Sequence, residues 1–174
     1  IHVLRCFDNG NITHVDGSID PVRDKGIIDT ELQLKDLETI ENRLAKTQKQ
    51  AVVGGDKQAK RAVEILLQYK AVLEQGLSAR TVELEKEDRK LVADLNLLTD
   101  KPVLYVCNVD EKSAVTGNEH TRAVEAAIAD ERAEMLIVAA ATEADIAELD
   151  EYEERQMFLE EIGLKESGVA RLIK

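Results

Sequence analysis

Two short runs constrain this chain most: Pro102-Val103-Leu104-Tyr105-Val106-Cys107 and Met135-Leu136-Ile137-Val138, each apolar along its whole length. A strand apolar on both faces must be covered on both, which is the habit of parallel sheets packed between helices. The sequence between and after the runs supplies those helices. Residues from about Gly117 to Glu131 place Ala123, Ala126, Ala127 and Ile128 at helical spacing, and helical patterns recur at about 143–149, 151–162 and 166–174. Ile1 to Cys6 reads as a further short buried strand. Strand, helix, strand, helix is the grammar of an α/β domain.

A different grammar fills the middle. Asp8-Asn9-Gly10-Asn11 is turn chemistry, residues 12 to 25 are mixed, and Asp20-Pro21 marks a boundary. From about Ile27 to Gln50 the apolar residues Leu37, Ile40 and Leu44, preceded by Leu34 and Ile27, follow three-to-four spacing. Gly54-Gly55-Asp56 breaks this helix, with Asp56 as the next N-cap. A second helix follows from about Lys57 to Glu74, with Ala59, Val63, Leu66 and Leu73 near one stripe and Gly76 as its stop. A third, about Lys86 to Leu98, carries Leu91, Leu95 and Leu98. So short a link between the first two predicts an antiparallel pair packed coiled-coil fashion. The expected organisation is a sheet-domain strand and loop over 1–20, an all-helical insertion over 21–98, and the rest of the α/β domain over 99–174.

Composition narrows the function classes. The 174 residues are 44% apolar and 33% charged, with a net charge of −12. That is enough apolar content for a core, and a uniformly acidic surface would repel nucleic acid and anionic membranes. No apolar run approaches the roughly 18 residues of a membrane span, and no secretory signal opens the chain. Cys6 and Cys107 each sit in a short apolar run, which fits buried thiols in a reduced, cytoplasmic protein. The charge is not uniform, however. Residues 42 to 61 hold Arg43, Lys46, Lys49, Lys57, Lys60 and Arg61 against Asp56 alone. That local +5 leaves −17 for the remainder of the −12 chain. These cations fall at the tip of the predicted hairpin, where they serve either solubility or contact with RNA phosphates.

The chemistry-bearing signal is Asn108-Val109-Asp110-Glu111, directly after a buried strand. Ligands of open α/β sheets bind at the carboxyl ends of strands, and an Asn amide offers donor and acceptor to a base edge. A loop of the pattern Asn-Lys-x-Asp reads guanine by accepting from its N1 and N2 hydrogens. Asn-x-x-Glu is one methylene longer and displaces that acceptor, and adenine has no N1 hydrogen or 2-amino group to lose. Ala139-Ala140-Ala141-Thr142 follows the next strand, with side chains small enough for backbone to approach a flat base. Taken alone, the first motif also reads as a strand-end turn and the second as helix–strand packing. His2, His14 and His120 have no metal-ligand spacing, and Ser113 and Thr116 have no base nearby in sequence. Glu151, Glu153, Glu154, Glu160 and Glu161 read as a solvated helix face. Tyr69, Tyr105 and Tyr152 are too scattered for base stacking.

Further segments carry a resemblance to a known family: Arg5-Cys6-Phe7-Asp8-Asn9 with Asn11-Ile12-Thr13-His14-Val15, then Ser18-Ile19-Asp20-Pro21-Val22-Arg23-Asp24, then Asp29 to Leu37. Leu97-Leu98-Thr99-Asp100-Lys101-Pro102, the Asn108 loop and Glu143 to Leu149 continue it in order. Together they resemble the YchF (Obg-like) nucleotide-binding ATPases over nearly the whole chain. The resemblance implies a P-loop G domain, here a partial parallel sheet with helices, interrupted by a coiled-coil insertion and followed by a TGS domain. It implies ATP or GTP as ligand, hydrolysis, and association with the ribosome. It places Asn108, Val109 and Glu111 around the base, with the Val109 backbone near the adenine edge, and Ala139, Ala140 and Ala141 beside it.

The chain departs from the family where it matters for catalysis. It contains no G-x-x-x-x-G-K-S/T, no Mg²⁺-binding switch and no TGS domain. It opens at Ile1 inside an apolar stretch and ends inside a helical pattern, so it is read as an internal piece. The phosphate grip and Mg²⁺ ligands are then expected upstream of Ile1, and these residues alone are not expected to hydrolyse nucleotide. The rival reading is a non-enzymatic helical interaction module whose α/β portion is only scaffold.

Overall fold

The computed structural model describes residues 1–8, 18–53 and 56–173. The Asn9–Asn11 turn, the Asn11–Val15 segment with His14, the Gly54-Gly55 break and Lys174 lie outside the described residues. The chain divides into two compact units, residues 1–25 with 103–174, and residues 26–102.

The first unit is built on strands β1 (His2–Arg5), β2 (Leu104–Asn108) and β3 (Glu134–Val138). They form one sheet in the order β1-β2-β3. Both pairings are parallel, with Arg5 opposite Asn108 and Asn108 opposite Val138. The α/β grammar of the sequence is therefore realised. Leu4, Cys6, Tyr105, Cys107 and Val109 share a buried cluster with Val124 of helix α4 (Glu119–Ala127) and with Ile128, which follows it. Val3 is 63% exposed, so β1 buries one face only, against the expectation of a wholly buried strand. Side chains alternate across a strand, and the residues that pack with Leu4 and Cys6 lie on the other face. Gly117 (φ +67) turns the chain into Asn118, whose capping box with Thr121 starts α4 two residues after the sequence-predicted start. Three helices follow β3, labelled α5 (Ala140–Glu148), α6 (Tyr152–Glu161) and α7 (Gly168–Ile173). Helix α5 starts three residues earlier than the pattern indicated because the alanines themselves form its first turn.

The second unit is helical. Its long helix α1 (Pro21–Val53) begins in the first unit, and its 33 residues make it about 50 Å long. It starts six residues before the sequence pattern suggested. Asp20 Oδ1 accepts from the backbone N–H of Val22 (3.1 Å) and Arg23 (3.0 Å), and Pro21 needs no N–H partner at the first helical position. Lys25 in this first turn donates to Glu131 (2.5 Å), which also accepts from the Tyr105 hydroxyl (2.9 Å).

Helix α2 (Lys57–Glu74) keeps its sequence-predicted bounds. Asp56 accepts from Gln58 N (2.8 Å) at its start. Gly76 (φ +74) ends it, where Gly76 N donates to Leu73 O (2.9 Å) and Leu77 N to Val72 O (3.0 Å). Gln33 reaches Gly76 O (3.0 Å) and Lys70 reaches Glu41 (2.7 Å). Partner numbers fall on one helix as they rise on the other, so α1 and α2 run antiparallel. Ile40, Leu44, Ile65, Leu66, Tyr69 and Leu73 are buried between them, with Leu37 and Val63 partly covered.

Two expectations fail here for one reason. Leu34 and Ile27 do not join the buried stripe; they are 61% and 46% exposed. The inward line on α1 is Asp36, Ile40, Leu44, Thr47 and Ala51, all buried. Leu34 and Ile27 lie about 180–200° around the helix from Asp36, at about 100° per residue. Asp36, 2% exposed, accepts from Leu98 N, Thr99 N and the Thr99 hydroxyl, each at 2.7 Å. To deliver those donors the third helix ends early. Helix α3 (Lys86–Val92) passes through a short 3-10 turn, and Asn96 (φ 50) stops it well before Leu98.

Leu66 is fully buried and Leu37 only partly so. Leu66→Ala is expected to cost about 2–5 kcal/mol and Leu37→Ala less, because the cavity term scales with burial. Urea unfolding of both variants checks the ranking; equal costs would show that the seam is not packed as described.

Candidate functional site

The carboxyl ends of β2 and β3 lie side by side because those strands are parallel neighbours in register. Every sequence-expected site residue sits there. Asn108 is the last residue of β2, and its Oδ1 accepts from the backbone N–H of Ala140 at 3.0 Å. That bond ties the Asn108 loop to the alanine segment. With its oxygen engaged, the amide retains its NH₂ as the group to offer a ligand.

Val109 contributes backbone rather than side chain. Its side chain is in the core, and its N–H donates to Val138 O at 2.9 Å. Asp110 accepts from Ser113 N (2.9 Å) and so starts a short 3-10 turn over Glu111–Ser113. Glu111 is exposed on that turn. Ala139 is buried, while Ala140 and Ala141 are exposed in the first turn of α5. Ala139 packs in the core, and the Ala140 N–H is taken by Asn108.

The sequence reading missed Asn118. Its Oδ1 accepts from Thr121 N (3.1 Å) while its Nδ2 donates to Cys6 O (2.7 Å) at the end of β1. The capping half was visible as Asn-x-x-Thr after a glycine; the reach to Cys6 was not. Cys6 and Cys107 are both buried, free thiols. Their shared hydrogen bond, helped by burial, pushes the Cys6 thiol far above the usual thiol range, which marks it as a packing residue and not a nucleophile.

Among the described residues no three His, Cys, Asp or Glu side chains group as a metal site. Tyr69 and Tyr105 are buried and Tyr152 is exposed, so they form no stacking platform. The five glutamates of the 151–161 run are exposed, as read. No described helix is long and apolar enough to cross a membrane.

The hairpin tip is altered. Arg43 forms a two-pronged contact with Asp94 (2.8 and 3.2 Å), and Arg61 does so with Asp88 (2.6 and 3.1 Å) while also reaching Glu64. The Arg61 guanidinium holds the Asp88 carboxyl below its usual range. Lys46, Lys49, Lys57 and Lys60 remain exposed.

No family profile matches the chain. Individual proteins do. It is 47% identical to the ribosome-binding ATPase YchF of Bacillus subtilis (strain 168), over 99% of the chain and 47% of that protein. It is 42% identical to the ribosome-binding ATPase YchF of Escherichia coli O157:H7 over the same shares. Obg-like ATPase 1 of Oryza sativa subsp. indica matches at 40% over 64% of the chain and 28% of that protein. The chain thus spans about half (47%) of the length of the bacterial relatives. Among solved structures, the Schizosaccharomyces pombe YchF GTPase superposes with a TM-score of 0.86 at 26% identity, covering 98% of this chain and 47% of that one.

Gly117 carries φ +67, and a Cβ there would lie 2.3 Å from Thr121 Oγ1. Gly117→Ala is expected to destabilise by about 1–3 kcal/mol through left-handed strain and displacement of the capping threonine. Thermal melting checks this, and an unchanged melting point would show that the turn has another route into α4.

Proposed function

The chain belongs with the YchF and Obg-like ATPases, and we propose from this that residues 108–111 and 139–141 form the base-reading part of a purine-nucleotide site that favours ATP. The supporting observation is the Asn108–Ala140 bond, which brings two strand-end loops together and engages the amide oxygen, so the NH₂ is the group left to donate. That donor suits purine N7, an acceptor shared by adenine and guanine. Discrimination then falls to the neighbours. With the Val109 N–H committed to Val138, its carbonyl is the backbone group that can accept from the adenine N6 amino group. Glu111 stands on a 3-10 turn one methylene away from the guanine-reading position, and adenine offers it no hydrogen to accept.

The residues described here suit a base and not a triphosphate. The sequence has no G-x-x-x-x-G-K-S/T, and no described acidic cluster suits Mg²⁺. Phosphate binding, Mg²⁺ coordination and hydrolysis are therefore assigned to parts of the protein outside these residues. The role of the residues present is to hold and select the base.

The helical hairpin, read as a coiled-coil arm, is proposed to meet the ribosome through RNA. Relatives named as ribosome-binding ATPases supply the partner class. Lys46 with Lys49, and Lys57 with Lys60, are two i, i+3 pairs, each presenting its charges on one side of a helix. Lys57 and Lys60 stand in the first turn of α2, where the helix dipole disfavours cations. A helix shaped for stability alone would carry acids there, so the placement favours a phosphate partner. Arg43 and Arg61, engaged by Asp94 and Asp88, contribute less.

Two measurements on the full-length protein test these readings. ATP is expected to bind at least about tenfold tighter than GTP, or about 1.4 kcal/mol, and Glu111→Asp to narrow the gap; a tenfold preference for GTP would refute the role given to Glu111. Replacing Lys46, Lys49, Lys57 and Lys60 with Gln is expected to weaken ribosome co-sedimentation. It should also flatten its salt dependence by a log–log slope of up to about 3, at ~0.7–0.9 per phosphate contact. Identical curves for wild type and variant would leave those lysines a solubility role.

A further inference from the structure

We infer that Asn118 is a positioning residue of the nucleotide site, tethering the far end of the base loop to β1; this rests on the purine reading of Asn108–Glu111. Capping α4 requires only an acceptor for Thr121 N, which Ser, Thr or Asp supplies as well as Asn. Asn118 uses its second group too. Its Nδ2 donates to Cys6 O at 2.7 Å and lies 3.5 Å from Ser113 Oγ. Of the favoured capping side chains only Asn carries an amide donor, so the helix cap alone does not explain this residue type.

The bond completes a relay. Asn118 donates to Cys6 O, Cys6 N donates to Asn108 O at 2.7 Å, and Asn108 Oδ1 accepts from Ala140 N at 3.0 Å. Cys6 is thereby gripped through both its backbone groups, and the ends of all three strands are joined in one line. The loop of residues 109–118, which carries Glu111, is anchored at its start by Val109 N to Val138 O and at its finish by Asn118. Gly117 N to Ser113 O (2.8 Å) closes the loop between those anchors. Without the tether the finish of the loop is held to the sheet only through buried Ala114 and the packing of α4. Asn108 keeps its own bond to Ala140, but the placement of Glu111 loosens. The consequence is loss of base discrimination rather than loss of fold.

The experiment uses the full-length protein, with ATP and GTP affinities and thermal melting measured for wild type, Asn118→Ser, Asn118→Asp and Asn108→Ala. Both Asn118 variants keep an acceptor for the α4 cap and remove the amide that reaches Cys6, the serine hydroxyl being shorter and the carboxylate having no donor. Asn118→Ser is expected to weaken ATP on the order of fivefold, the scale of one neutral hydrogen bond, and to shrink the ATP-to-GTP preference. Its melting point should stay near wild type. Asn118→Asp, which sets a carboxylate against the Cys6 carbonyl, should shrink that preference further. Wild-type preference in both Asn118 variants, with Asn108→Ala impaired, would overturn the inference and leave Asn118 a helix cap. A lowered melting point with both nucleotides weakened equally would overturn it too. Wild-type affinity in Asn108→Ala would remove the purine reading itself, and the tether's role with it.

Discussion

The parallel pairing of β1 with β2 is the constraint on which the rest of the molecule depends. Parallel neighbours cannot be joined by a tight turn; they need a crossover, and here the crossover carries the whole helical unit. Closing so long a loop has an entropic cost that grows only slowly with length, and internal order within the unit reduces it further. Asp36 does much of that work. Its buried carboxylate takes three donors from Leu98 and Thr99. Thr99 also accepts from Ala79 N (2.9 Å) and Arg80 N (3.1 Å). The chain leaving the unit is thus fastened to the long helix within that unit.

The same pairing shapes the edge where the strands end. Because the strands run in one direction, their carboxyl ends share one edge, and the peptide groups there lack further ladder partners. The structure satisfies them sideways, through Asn108 to Ala140 and Asn118 to Cys6. Amide side chains suit this work because each has an acceptor and a donor, so one residue can serve a loop and a neighbour together. The buried thiols of Cys6 and Cys107 beneath add packing without charge.

Charge is distributed by a different rule. Along the sequence the basic residues gather in the 42–61 segment, and its two arginines are matched by Asp94 and Asp88. Exposed pairs of this kind add little to stability, so their main effect is on what remains. The positive field of the tip narrows to four lysines, each on a flexible stem in water. Those are the groups best able to exchange counterions for phosphates.

What the sequence determined by itself is what neighbours along the chain can decide. Leu104 to Cys107 and Met135 to Val138 had to be buried strands, and parallel packing followed from their apolar runs. Asp56 and Gly76 bounded α2 because a cap is a matter of a few bonds within one turn. Asn108 was legible as the end of a strand for the same reason. Tertiary structure alone decided that Asp36, and not Leu34, faces inward, because the donors it meets lie 62 and 63 residues away. It also decided that Arg43 is held by Asp94, 51 residues on, and that Asn118 reaches Cys6 across 112 residues. Hydrophobic periodicity reports which face of a helix is apolar. It is silent on a buried carboxylate or a tethering amide, whose burial becomes favourable only when a distant partner arrives to complete its hydrogen bonds.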